Sequence, residues 1–264
     1  MKHKILDLFS GIGGFSYGFE MANLGETIVF VEKDEFCQKV LRKHWKNVPI
    51  INDIRKVNGK DFGSATIISG GFPCQPFSVA GKRKGKDDDR YLWDETIRVV
   101  AECKPKWFIG ENVDGIVNIS EGTILRQIQD DLEKEGFQVQ CLVIPASGIG
   151  AWHQRKRVWI IGHNVSNTKI LRPRRRSSQK CRIKKRKFQQ TKQKRDSFWS
   201  EAKRCSSQDD TASWWQTQSE LCGVPDGVSY ELHSNRTDRI KALGNSIVPQ
   251  IAQLVGESIL KAEI

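Results

Sequence analysis

The chain has 264 residues, enough to bury a full core as one large domain or as one large and one small. It carries no apolar run near the length that crosses a bilayer, and its seven cysteines, an odd number with no C-x-x-C pair, argue against a disulfide framework and a zinc ribbon. The net charge of +12 is lopsided, because residues 164 to 195 hold 14 Lys or Arg and no acid, leaving 29 basic against 31 acidic residues elsewhere.

In chain order, Lys4 to Phe9 reads as a first strand running into Ser10-Gly11-Ile12-Gly13-Gly14-Phe15. Glycines there let the backbone approach a ligand closely and open a helix through Phe15, Phe19 and Met21. Ser16 takes the place of the third glycine of G-x-G-x-x-G, which counts against a pyrophosphate-binding dehydrogenase. The early Asp7, inside the first apolar segment, is unlike a signal peptide, so a cytoplasmic protein is expected. A second strand, Thr27 to Val31, ends in Glu32, about 20 residues past the glycines, where an acid either accepts from ribose hydroxyls or merely solvates a strand end. The spacing then predicts a helix from about Glu35 to Trp45 with Phe36, Val40 and Leu41 on one face, and a short apolar run from Val48 to Ile51. Asp53 follows, placed to accept from an adenine amino group or to cap a helix.

Residues 66 to 81, TIISGGFPCQPFSVAG, are the most informative stretch. Ile67 and Ile68 suit a buried strand, Gly70 and Gly71 a sharp turn, and Cys74 stands between Pro73 and Pro76. Most lone cysteines are small core hydrophobes. A core cysteine needs no stiff loop at the carboxyl end of a strand, the place where open α/β sheets bind ligands, so a chemical role is the better reading. Lys82 to Arg90 is too polar to pack and reads as a loop beside that cysteine, an ordinary connection or one that closes over substrate.

A helix from Trp93 to Cys103, burying Ile97 and Val100, leads to a strand from Trp107 to Gly110 that delivers Glu111-Asn112-Val113. Cys74 and Glu111 end consecutive strands and can converge on one substrate, although a surface glutamate is the plainer alternative. Ile124, Leu125, Ile128 and Leu132 mark an amphipathic helix closed by Gly136. Gln138 to Ile144 reads as a strand and Pro145 to Gly150 as a loop, before His153-Gln154-Arg155-Lys156-Arg157 and a strand from Val158 to Gly162. In extended backbone Arg155 and Arg157 share a side, to meet a substrate or to guard a sheet edge.

From about Asn164 to Asn235 periodicity fails, and the basic run there is either a solvated linker or a contact for phosphates. Trp199, Trp214 and Trp215 suit a small core better than base stacking. Past Arg239 the pattern returns as Ala242-Leu243-Gly244-Asn245-Ser246-Ile247-Val248-Pro249, then a helix with Ile251, Leu254, Val255 and Ile259 on one face that must pack on the main domain. The expected division is a main domain over 1–163, a small basic region over 164–235, and a segment over 236–264 that packs back on the main domain.

Gly71-Phe72-Pro73-Cys74-Gln75-Pro76-Phe77-Ser78 resembles the nucleophile loop of the DNA cytosine C5-methyltransferases, and six motifs in matching order extend the likeness over nearly the whole chain outside 164–235. The resemblance implies an α/β fold, a Rossmann-like S-adenosylmethionine-dependent methyltransferase sheet with helices on both faces and a small target-recognition region. It implies that 1–163 is a catalytic and cofactor-binding domain, 164–235 the target-recognition region and 236–264 the closing segment. It implies S-adenosyl-L-methionine as cofactor, S-adenosyl-L-homocysteine as product and no metal. Phe9, Gly11, Gly13, Gly14, Glu32, Asp53, Pro73, Leu92, Asn245 and Ser246 then correspond to cofactor contacts, and Cys74, Glu111, Asn112, Arg155 and Arg157 to the catalytic set. Cys74 corresponds to the nucleophile on cytosine C6, Glu111 to the acid at N3 and Arg155 to the contact at O2. His153 departs from the family, which most often has glutamine there. The implied partners are double-stranded DNA, with base flipping, and a cognate restriction endonuclease, in a cytoplasm of bacterial, phage or prophage type; no membrane is expected, and a monomer is the simplest state. A tRNA cytosine C5-methyltransferase and a non-catalytic nucleic-acid-binding homologue are the alternatives.

Overall fold

A computed structural model describes residues 2–73, 92–151, 153–165 and 236–263. Cys74, the Lys82–Arg90 loop, the three tryptophans and all but the first two residues of the basic segment lie outside the described residues.

The strands are β1 (His3–Leu8), β2 (Gly25–Val31), β3 (Ile50–Ile51), β4 (Ile67–Gly70), β5 (Trp107–Val113), β6 (Phe137–Pro145) and β7 (Lys156–Asn164). The helices are α1 (Gly14–Met21), α2 (Glu35–His44), α3 (Trp93–Cys103), α4 (Thr123–Lys134), α5 (Arg236–Asn245) and α6 (Pro249–Ala262). The seven strands form one sheet in the order β3-β2-β1-β4-β5-β7-β6, parallel from β3 to β5, with β7 antiparallel to both of its neighbours. This is a Rossmann-like α/β sheet. Strand order reverses between β1 and β4, so right-handed crossovers send α1 and α2 to one face and α3 to the other. Ligands in such sheets bind at that reversal, beyond the carboxyl ends of the strands.

The register makes those ends flush. Leu8 pairs with Val31 on one side and Gly70 on the other, and Gly70 pairs with Gly110. Phe9, Glu32 and Gly71 therefore leave the sheet next to one another, while β5 runs on past Gly110 through Glu111 to Val113 along β7. Beneath them Leu6, Leu8, Ile68, Phe108 and Trp93 are buried to 1% exposure or less. Each such side chain contributes about 1.5–3 kcal/mol by leaving water, which is why these apolar strands occupy the middle of the sheet.

Several elements differ from expectation. On α2 the buried face is Cys37, Gln38 and Leu41, with Phe36 and Val40 half-buried. β7 is longer than the apolar core of its sequence, because its ladder with β5 runs from Arg157 to His163. Residues 236–245 form a helix, an element not assigned from the sequence, whose periodicity returns only past Arg239. On α6, Leu254 is 46% exposed, and the contact face is Ile251, Ala252, Val255, Gly256 and Ile259. Small residues win that face because α1 comes so close: a Cβ on Gly18 would stand 2.3 Å from the Pro249 carbonyl oxygen, and one on Gly256 3.0 Å from the Ala22 Cβ. The end of α6 is held by Glu263, which pairs with His3 at 3.1 Å and Lys106 at 2.8 Å and accepts from the Trp107 indole at 2.8 Å. α6 thus packs on α1. Among the described residues no helix is long and apolar enough to cross a membrane.

Candidate active site

A cavity of about 550 Å³ opens at the strand-order reversal. That volume suits a nucleoside-sized ligand. Phe9 and Gly11 come from the loop after β1, Glu32 from the end of β2, Gly71 to Pro73 from the end of β4, Glu111 to Val113 from β5, Arg157 from β7, and Lys241, Ala242, Gly244 and Asn245 from α5.

The cofactor-side wall is built from backbone. Phe9 and Gly11 have φ of 51° and 54°, and a side chain on Gly11 would meet nothing within 4 Å, so the turn presents its backbone to open space. The Gly11 N–H donates to Glu32 Oε2 at 2.7 Å and the Asp34 N–H to Glu32 Oε1 at 2.7 Å. A carboxylate has about four acceptor positions, so two remain for incoming hydroxyls. This preset carboxylate fits the vicinal diol of a ribose, and with the cavity volume it fits S-adenosylmethionine. Asp34 then caps α2, accepting from Phe36 N at 2.9 Å and Cys37 N at 3.2 Å, while its other oxygen takes Lys241 Nζ at 3.1 Å.

The opposite wall holds the charge chemistry. Glu111 is 7% exposed, and Arg157 Nε lies 2.9 Å from its Oε1. Trp159 pairs with Glu111 in the ladder, which puts Arg157 on the diagonal and on the same face. Burial pushes the Glu111 carboxyl up to about 6, against the pull of Arg157 and Arg155 toward lower values. Asn112 is buried and its amide donates to the Phe72 carbonyl at 2.9 Å, fixing the start of the Gly71–Pro73 turn to β5.

Of the residues singled out in the sequence, Phe9, Gly11, Glu32, Pro73, Glu111, Asn112, Arg157 and Asn245 line this one cavity. Others lie behind it. Gly13 has φ 87° and sits under Trp45, whose ring a Cβ would meet at 2.5 Å; Gly14 packs on Ile247 and Ser246. Leu92 packs on the core, and its carbonyl accepts from Thr96. Asp53 accepts through Oδ1 from Arg55 N at 3.0 Å, capping a short 3-10 turn. Arg155 does not share an extended strand with Arg157, because its φ is 24° and the strand starts at Lys156; it donates instead to the carbonyls of Gly244 at 2.8 Å and Ser246 at 2.5 Å. Lys33, Asp34, Cys37, Val113, Lys241 and Ala242 line the cavity without having been expected there. Asp34 was detectable as a cap two residues past Glu32, whereas Lys241 needed the unexpected helix that places it one turn before Asn245.

A sequence model of the C-5 cytosine-specific DNA methylase family matches residues 3–220. The chain belongs to that family. The Type II methyltransferase M1.ScrFI of Lactococcus lactis subsp. cremoris is 36% identical over 162 residues, 61% of this chain and 41% of the relative. M.Bsp6I of a Bacillus species is 35% identical over 170 residues, covering 63% and 54%, and M.AquIA of Picosynechococcus is 36% identical over 186 residues, covering 64% and 75%. The chain thus spans about half the length of the first two. Among solved structures, a triple mutant of Spodoptera frugiperda DNMT2 superposes with a TM-score of 0.54 at 24% identity, over 67% of this chain and 54% of that one. S. pombe Dnmt2 gives 0.52 at 17% identity, over 64% and 52%. These two likenesses establish the family fold on the structural side.

Proposed function

We propose that the chain transfers a methyl group from S-adenosylmethionine to C5 of a cytosine flipped out of duplex DNA, through a covalent bond between Cys74 and cytosine C6. The observation that carries this reading is the buried Glu111, ion-paired with Arg157 on one wall of a cavity whose other wall is the Glu32–Gly11 cradle. Pro73, the residue before Cys74, lines the same cavity.

Glu32 and the backbone at Gly11 hold the cofactor's ribose, with Phe9, Pro73 and Asn245 around it. When bound, the cofactor supplies an electrophilic methyl to the carbon that the protein activates, and S-adenosylhomocysteine remains. Cys74 attacks C6 as thiolate: the Sγ–C6 bond forms and the C5=C6 electrons become available at C5. Free cysteine ionises near pH 8.5, so nearby positive charge, for which Arg155 and Arg157 are the candidates, favours the thiolate. Glu111 hands or shares its proton at N3 as charge enters the ring, a task suited to a carboxyl lifted toward neutrality by burial. After methylation water takes the C5 proton, the C5=C6 bond returns as the Sγ–C6 electron pair leaves on the Cys74 thiolate, and the N3 proton passes back to Glu111.

Bringing the base out of the stack costs a few kcal/mol, as for base-modifying enzymes generally. Phosphate contacts from the basic segment at 164–195, within the target-recognition region we assign to 164–235, offset that cost. A monomer acting in the cytoplasm beside a cognate endonuclease is part of this reading; the matched relatives are themselves named Type II methyltransferases. The test is transfer of tritiated methyl from S-adenosylmethionine to duplex DNA and, in parallel, to tRNA. Label in DNA that bisulfite sequencing maps to cytosine C5 supports the reading, and label confined to tRNA overturns it.

A further inference from the structure

Asp7 is fully buried in the middle of the sheet, and its two oxygens meet hydroxyls rather than a cation. Oδ1 accepts from Ser69 Oγ and Oδ2 from Ser16 Oγ, both at 2.8 Å. Ser16 in turn accepts from Thr27 Oγ1 at 2.7 Å, and both serines are fully buried. Four elements therefore meet at one carboxylate: β1 carries Asp7, α1 carries Ser16, β2 carries Thr27 and β4 carries Ser69. Asp7 and Ser69 are register partners in the β1–β4 ladder, directly across the strand-order reversal.

A carboxylate is a poor choice for stability here, since its desolvation opposes folding and an apolar residue of similar size would not incur it. What it supplies is geometry. Oδ2 seats the first turn of α1, the helix opened by the Gly11–Gly14 loop, and explains why serine stands at position 16. Oδ1 seats β4 just before Gly71 to Pro73. The two arms thus end on two elements behind the cavity, α1 next to the Gly11 loop and β4 next to the Gly71–Pro73 turn, and it is that loop and that turn that line it.

We propose that Asp7 is a positioning residue that ties α1, behind the Gly11 loop, to β4, ahead of the Gly71–Pro73 turn, through Ser16 and Ser69. This rests on the reading of the cavity given above. The arms act separately: Ser16→Ala weakens cofactor binding with turnover nearly unchanged, Ser69→Ala lowers turnover with cofactor binding nearly unchanged, and Asp7→Asn does both.

The experiment compares wild type, Ser16→Ala, Ser69→Ala and Asp7→Asn, each shown folded by circular dichroism at the assay temperature. S-adenosylmethionine affinity is measured by calorimetry, and turnover on unmethylated bacterial genomic DNA at saturating cofactor. The expected result is an affinity loss of about tenfold for Ser16→Ala alone and a turnover loss of about tenfold for Ser69→Ala alone, the scale on which small misplacements act. Equal effects of the two serine variants on both quantities, or effects on melting temperature only, overturn the proposal. Should Asp7→Asn not fold, the serine pair still decides. A wild-type chain that binds no S-adenosylmethionine overturns both readings. One that binds it but transfers nothing counts against the proposed function alone, and the Ser16→Ala affinity then decides the role of Asp7.

Discussion

Arg157 Nε stands 2.9 Å from Glu111 Oε1 across the β5–β7 ladder, in a position where only a fifth of the arginine side chain and under a tenth of the glutamate side chain reach solvent. The pair is fixed by strand register rather than by loops. Burial raises Glu111 to about 6, and Arg157 is the largest influence pulling it back. Arg157→Gln removes that pull, so the carboxyl titrates at still higher pH. A group that works protonated loses function as pH rises through its pKa, so the falling limb of kcat/KM moves upward by about one unit or more in the variant. Profiles of kcat/KM across neutral pH for both proteins check this, and an unmoved limb would separate Glu111 from that titration.

Asn112 holds the carbonyl of Phe72. Asn112→Ala leaves that carbonyl without its amide donor and is expected to lower stability by about 1–3 kcal/mol. Asn112→Asp, nearly the same shape, sets an acceptor against an acceptor and is expected to lose at least as much. Urea unfolding of the three proteins ranks them.

Asp7 sits at about 7 against an ordinary 3.8, raised chiefly by burial and secondarily by the charge of Glu32, with the Ser69 and Ser16 hydroxyls acting in the other direction. Between those values the folded protein keeps a proton that the unfolded chain has released, so this group makes stability fall as pH rises from about 4 to 7. Asp7→Asn removes the contribution and flattens the slope. Glu111 acts with the same sign over a narrower window inside that one, from 4.5 to about 6, so the quantity to measure is the difference in slope between variant and wild type.

Gly18→Ala is expected to separate α1 from α6, because the added Cβ would fall 2.3 Å from the Pro249 carbonyl oxygen and 3.0 Å from the Gln253 nitrogen. Backbone on both sides leaves nothing flexible to yield. Overpacking of this kind costs about 1–3 kcal/mol. A lowered melting temperature with unchanged far-ultraviolet dichroism is the expected outcome, whereas Gly63→Ala, which meets only the Lys60 carbonyl at 3.6 Å, serves as the control.

Much of this architecture was legible in one dimension. Apolar runs leading to Phe9, Glu32, Gly71 and Glu111 specify strands, and since right-handed crossovers make those strands parallel neighbours, their carboxyl ends lie along one edge of the sheet. Helix caps such as Asp34 and strand lengths set by cross-strand pairing were less visible. Arg155 could not be placed from alternation, because its positive φ takes it out of the strand. Lys241 and Leu254 were missed for a related reason: which face of a helix is buried depends on its partner, and α6 meets α1 through glycine and alanine instead of leucine. The Asp7 network was likewise hidden, since three hydroxyl residues at positions 16, 27 and 69 share no local pattern.

The most direct measurement is covalent capture. Duplex DNA in which the target cytosines carry 5-fluorine, incubated with the protein and S-adenosylmethionine, is expected to yield a denaturation-resistant protein–DNA adduct, because methyl transfer proceeds while the C5 substituent cannot leave as a proton. Peptide mapping should find the adduct on Cys74, and Cys74→Ala should form none. An adduct on another residue, or full methyl transfer to ordinary DNA by Cys74→Ala, would contradict the account.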